Sequence, residues 1–95
     1  MKAGGFNAAQ AATGEVQNII EQVRNAVADQ IGNVGEYRAH SFQRQVVAGT
    51  NYKVKVHIFG DQYIHIKVFV PLPYTQQPPQ LSTCETGKTE SDPIN

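Results

Sequence analysis

The chain of 95 residues has no tryptophan, one cysteine, one methionine and no excess of charge, with eight Lys and Arg set against eight Asp and Glu. Each shortage removes a class of function. Without a surplus of Lys and Arg there is no basic footprint for nucleic acid and no cationic face to draw the chain to a membrane. A single thiol, Cys84, can make no internal bridge, whereas a secreted domain of this length would carry an even set of cysteines. No apolar run approaches the ~18 residues of a spanning helix, and Met1 to Asn7 lacks the apolar core of a secretory signal. The expected location is the cytoplasm, with the nucleus left open.

The raw material of an active site is also scarce. Zinc needs three or four ligands, and neither His-x3-His nor Cys-x2-Cys spacing is present, so His57 and His65, set facing each other across a hairpin, read as members of a polar stripe. Cys84 has no histidine and orienting amide nearby in sequence to make it a nucleophile. Gly4-Gly5 precedes no strand-to-helix unit with a lysine, so it is no phosphate loop. The expectation is a protein that is not an enzyme and uses no cofactor or metal.

What the sequence does have is pattern. Ninety-five residues suffice for one domain with a core. Residues 1–12 are small and unpatterned and read as a flexible arm. Thr13 can cap a helix, Glu15 suits its first turn, and Val16, Ile19, Ile20, Val23, Val27 and Ile31 follow at helical spacing up to Gly32. One long amphipathic helix over 13–31 is expected, lying on an antiparallel sheet over 36–85 of four to five strands.

Tyr52, Val54, Val56 and Ile58 alternate with Lys53, Lys55 and His57, and Ile64, Ile66, Val68 and Val70 alternate with Tyr63, His65, Lys67 and Phe69. A three-residue loop, Gly60 to Gln62, is expected to pair His57 with His65 and Val56 with Ile66, since a two-residue loop would put polar against apolar. Pro71 and Pro73 end the strand, Gln80 to Glu85 can return as another, and residues 86–95 read as a polar tail that frays. The class is α+β.

Three segments are too apolar for mere connections: the arm, Gln45-Val46-Val47-Ala48-Gly49 where two strands must join, and Leu72-Pro73-Tyr74. In an antiparallel meander the first and third turns share one end of the sheet. The arm joins them if the helix runs antiparallel to the first long strand.

Gln45 to Gly49 matches the QxVxG pattern of the cystatin superfamily. Together with Gly4, the Thr13-x-Glu15 helix start, Thr50-Asn51-Tyr52, Lys55-Val56-His57, Val68-Phe69 and Leu72-Pro73, it makes the chain resemble the type 1 cystatins, or stefins, over residues 4 to about 82. That resemblance implies the cystatin fold and a reversible, competitive, tight-binding inhibitor of papain-like cysteine proteases such as papain and the cathepsins. It implies that Gly4 passes the catalytic cysteine, that Gln45, Val46, Val47, Ala48 and Gly49 fill the centre of the cleft, and that Leu72 and Pro73 cover its primed side. The rival reading is a binding or scaffold module that keeps the fold without the inhibition.

The sequence departs from the family at four places. Gly5 adds freedom beside Gly4, Tyr74 stands where a histidine tends to follow Leu-Pro, Cys84 replaces an aromatic, and the ending Asp92-Pro93-Ile94-Asn95 lacks an aromatic. The expected state is a monomer with a minor domain-swapped dimer, because straightening the turn after Val47 would fuse two strands.

Overall fold

The computed structural model describes residues 5–94. Strand β1 (Gln10–Ala11) precedes helices α1 (Gly14–Gln22) and α2 (Arg24–Ile31), and four strands follow: β2 (Arg38–Val47), β3 (Gly49–Phe59), β4 (Gln62–Val70) and β5 (Gln80–Lys88). The five strands form one antiparallel sheet in chain order. Its inner face, built from Phe42, Tyr52, Val54, Val56, Ile64, Ile66 and Val68, packs against Val16, Ile19, Ile20, Val23 and Val27 of the helical layer. The α+β class and the apolar stripe are as the periodicities predict.

The helix starts as expected, with Thr13 Oγ1 accepting the N–H of Val16 at 3.3 Å. It is not one rod. Val23 adopts φ −105° and ψ 10°, and its N–H turns to the Ile20 carbonyl, three residues back rather than four. β-branched Ile19, Ile20 and Val23 all lower helix propensity there. The apolar stripe continues across the break, so spacing alone could not reveal it. Gln17 ties α1 to β2: its side-chain amide donates to the Tyr37 carbonyl at 2.9 Å and its oxygen accepts the N–H of Ala39 at 2.8 Å. The Tyr37 hydroxyl donates to the Ile20 carbonyl at 2.8 Å, and its burial pushes its pKa well above the ordinary tyrosine value.

The β3–β4 hairpin corrects the expected register. Its loop is the two residues Gly60-Asp61, with Gly60 at φ +51°, and Phe59 lies opposite Gln62. His57 pairs with Tyr63, and His65 with Lys55. The even loop keeps both apolar faces inward because Ile58 is an extra residue on β3, a β-bulge that restores the parity the loop removes.

Nor is the polar face of the sheet open to solvent. Thr89 to Ile94 folds back across it, and the Lys55 ammonium donates to the carbonyls of Glu90 and Asp92. Lys55 is 4% exposed, His65 6%, and Ile94 is buried. The N–H of Thr89 donates to the Asp92 carboxylate at 2.8 Å and holds its pKa below the usual range. A tail expected to fray is a strap, and β5 runs to Lys88 before it begins.

Candidate functional site

Ala48 alone makes the turn between β2 and β3: Val47 pairs with Gly49, Val46 with Thr50, and Gln45 with Asn51. The Asn51 amide donates to the Gln45 side-chain oxygen at 2.8 Å, which fixes both strands just below the tip. So short a turn demands unusual backbone, and Gly49 supplies it at φ +117°. A Cβ there would lie 2.7 Å from Phe69 Cζ and 2.7 Å from the Val70 carbonyl oxygen. The tip therefore rests directly on β4. Val46 is 66% exposed and Val47 43%, so two stiff apolar side chains stand in solvent on a backbone that cannot relax under them.

The second turn emerges beside the first. Thr50 pairs with Val70, which puts the end of β4 next to the start of β3 and brings Pro71, Leu72 and Pro73 out at the same end of the sheet. Pro73–Thr75 form one turn of 3₁₀ helix. Thr75 closes it by donating both its N–H, at 3.0 Å, and its hydroxyl, at 2.7 Å, to the Leu72 carbonyl. Leu72 is half-buried, Pro73 is exposed, and Tyr74 is 81% exposed.

The arm reaches this end by a route other than helix direction. Thr13 sits beside the early part of β2, where the Ala12 N–H donates to the His40 carbonyl at 3.1 Å. From there β1, read backwards, runs along β2 towards Val47 as an edge strand, and the N–H of Asn7 donates to the Arg44 carbonyl at 3.1 Å. Gln45, Val46, Val47, Ala48, Gly49, Leu72 and Pro73 thus share one end of the molecule. Gly4 lies outside the described residues.

Of these seven residues only Gln45 is polar, and none is ionisable. Phe69, opposite Asn51, supports the tip, a role that neither the strand's alternation nor the Val68-Phe69 pair of the family resemblance indicated.

A cystatin domain model matches residues 4–91 of the chain. The chain belongs to the cystatin family. Cystatin-A1 of Sus scrofa is 40% identical over 95 residues, 99% of this chain and 92% of that protein. Cystatin-B of Homo sapiens is 39% identical over 95 residues, 99% of this chain and 97% of that one. A third relative, leukocyte cysteine proteinase inhibitor 1 of Sus scrofa, is 38% identical over 99% of this chain and 92% of its own length. Matches of this extent make the chain a type 1 cystatin, a stefin.

In this cystatin the opposite end of the sheet is built differently. His57 Nδ1 lies 2.7 Å from Glu36 Oε2, and its Nε2 lies 2.6 Å from the Gly60 carbonyl. The carbonyl first, and then the carboxylate, raise its pKa. That end also has an open hollow of about 580 Å³ lined by His40, Asp61, Tyr63 and Glu90. Among the described residues no three His, Cys, Asp or Glu side chains are grouped to hold a metal, and no helix is long and apolar enough to cross a membrane.

Proposed function

We propose that this cystatin is a reversible, competitive inhibitor of papain-like cysteine proteases, cathepsins among them, that fills the active-site cleft with its arm and two turns. The observation that carries the reading is the exposed Val46–Val47 pair, held up by a glycine pressed on Phe69 and Val70. A fold kept only as a scaffold has no need to hold apolar side chains in water at the tip of a strained turn. Support for the class of partner comes from the relative named as a cysteine proteinase inhibitor. The chain's part is to bind and obstruct; it is not an enzyme.

In this reading Gln45 to Gly49 occupy the centre of the cleft and Leu72 with Pro73 its primed side. Gly4 passes the catalytic cysteine, and Met1 to Ala3 extend along the non-primed subsites. Each ~100 Å² of apolar surface removed from water contributes about 2.5 kcal/mol before the costs of association. A rigid tip need not present a carbonyl to the nucleophile at attacking distance and angle, so the inhibitor is not consumed. The working species is a monomer in the cytoplasm.

Inhibition of papain by the native chain, by Val47→Asp and by Phe59→Asp tests the assignment. Phe59 is as exposed as Val46 but lies at the far hairpin. Val47→Asp is expected to raise the inhibition constant at least about 100-fold, as a buried charge without a partner would. Phe59→Asp should leave it unchanged. Equal effects of the two substitutions would count against this edge as the contact.

A further inference from the structure

Gly4 and Gly5 follow one another in the sequence, and two consecutive glycines raise the entropy lost when an arm is ordered on a partner. Immediately after them the structure holds the chain at three points. The Asn7 N–H donates to the Arg44 carbonyl at 3.1 Å, the Arg44 N–H donates to Asn7 Oδ1 at 3.0 Å, and the Lys53 ammonium stands 4.1 Å from the centroid of the Phe6 ring.

These contacts are not the continuation of a strand. With Gln10 opposite Phe42, regular pairing would carry Asn7 to Gln45. Asn7 instead meets Arg44, one residue short, and its side-chain oxygen takes the place of the main-chain carbonyl that a ladder would have offered. Only a residue with a short side-chain acceptor makes that return bond. Lys53 also has reason to turn to Phe6. It faces Lys67 directly across β3 and β4, and like charges set opposite repel, whereas the face of an aromatic ring attracts an ammonium. Phe6 stays half-exposed and belongs to no part of the buried core, so its packing adds little to the fold.

We propose that Phe6 and Asn7, gripped by Lys53 and the Arg44 backbone, form a clasp that fixes where and in which direction residues 1–4 leave the body. The clasp positions the arm for its contact with the protease and offsets the freedom that Gly4-Gly5 introduces. Its residues act through the arm and are positioning residues. The proposal rests on the inhibitory reading above.

The test is the dissociation rate from papain of the native chain, Phe6→Ala, Asn7→Ala, Lys53→Met and Lys53→Arg. Each is measured in the full chain and in one beginning at Gly5, which keeps every described strand and helix. In the full chain Phe6→Ala, Asn7→Ala and Lys53→Met are expected to dissociate about tenfold faster, the scale of one or two residues' ordering, with association little changed. Lys53→Arg should keep the native rate, because a guanidinium also stacks on the ring. In the shortened chain all five should dissociate alike, and melting temperatures should agree across the set. Faster amide exchange at Arg44 in Asn7→Ala would report the opened clasp directly. Equal rate changes in both backgrounds, or none in the full chain, would overturn the clasp while leaving inhibition intact. A native chain that fails to inhibit papain at micromolar concentration would overturn the inhibitory reading and the clasp's role with it.

Discussion

A methyl group at position 49 would have nowhere to go. It would need a positive φ and would press on both Phe69 and the Val70 carbonyl. Gly49→Ala is expected to cost about 2 kcal/mol in urea unfolding and to weaken protease binding by displacing the tip. Adding Phe69→Leu should recover part of the stability and not all, since the carbonyl stays in place; full recovery would show that the aromatic ring was the whole obstacle. The second residue of consequence is His65. It is buried, its Nε2 has no hydrogen-bond partner among the described residues, and burial first, then Lys55 of β3 and Lys88 of β5, lower its pKa below 6.5. Glu85 of β5 and Asp92 of the strap pull the other way. The unfolded chain therefore binds the extra proton first, so stability is whole above pH 6.5 and is lost as pH falls through the folded value. His57, raised by the Gly60 carbonyl and Glu36, has the opposite sign: its contribution is present below pH 6.5 and fades as pH rises through its folded value. Urea midpoints between pH 7 and pH 5 should fall less steeply in His65→Gln than in the native chain, and more steeply in His57→Asn. An unchanged slope in His65→Gln would mean that the buried imidazole is not what acid attacks.

Among the elements, those with a strict period were legible and those that break one were not. Val54, Val56, Ile64, Ile66 and Val68 fall on one face whatever the neighbouring loop does, because alternation is local. Loop length is not local in that sense. The bulge at Ile58 changes parity by one residue and makes a two-residue turn compatible with a pattern that otherwise requires three. The kink at Val23 leaves the helical spacing intact and so leaves no mark on it. The strap was hidden for a different reason. Thr89 to Pro93 is polar, and what holds it is a lysine that the alternating pattern assigned to solvent. Lys55→Met keeps the aliphatic stem but leaves the Glu90 and Asp92 carbonyls without their donor. It is expected to lower stability by about 1–3 kcal/mol in urea unfolding while changing the papain inhibition constant less than twofold. A large loss of inhibition at preserved stability would tie the strap to the binding edge and contradict its separation from it.

For the whole molecule, the same turn that presents Val46 and Val47 also offers a route to a dimer. If Val47, Ala48 and Gly49 straighten, β2 and β3 become one strand and exchange β1, the helices and β2 with a second copy. Edge-to-edge association through β5 is less favourable, because register shifts between Tyr63 and His65 and between Lys67 and Val68 break its ladder. Partial unfolding and refolding should give a minor dimer on size exclusion, and a strictly monomeric product would contradict the exchange.

The placement of the proposed contact edge was legible only in part. The antiparallel meander put the two turns at one end, and the residues of QVVAG gave that end its family resemblance. The arm's path was not legible, because it depends on an edge strand of two residues and on Asn7. The central claim, that this end of the cystatin enters a protease cleft and leaves it intact, is tested most directly by papain kinetics at several substrate concentrations, followed by mass measurement of the recovered chain. The expected result is inhibition that substrate overcomes competitively, full activity on dilution and a chain uncut between Gln45 and Gly49. Absence of inhibition at micromolar concentration, or cleavage within that segment, would contradict it.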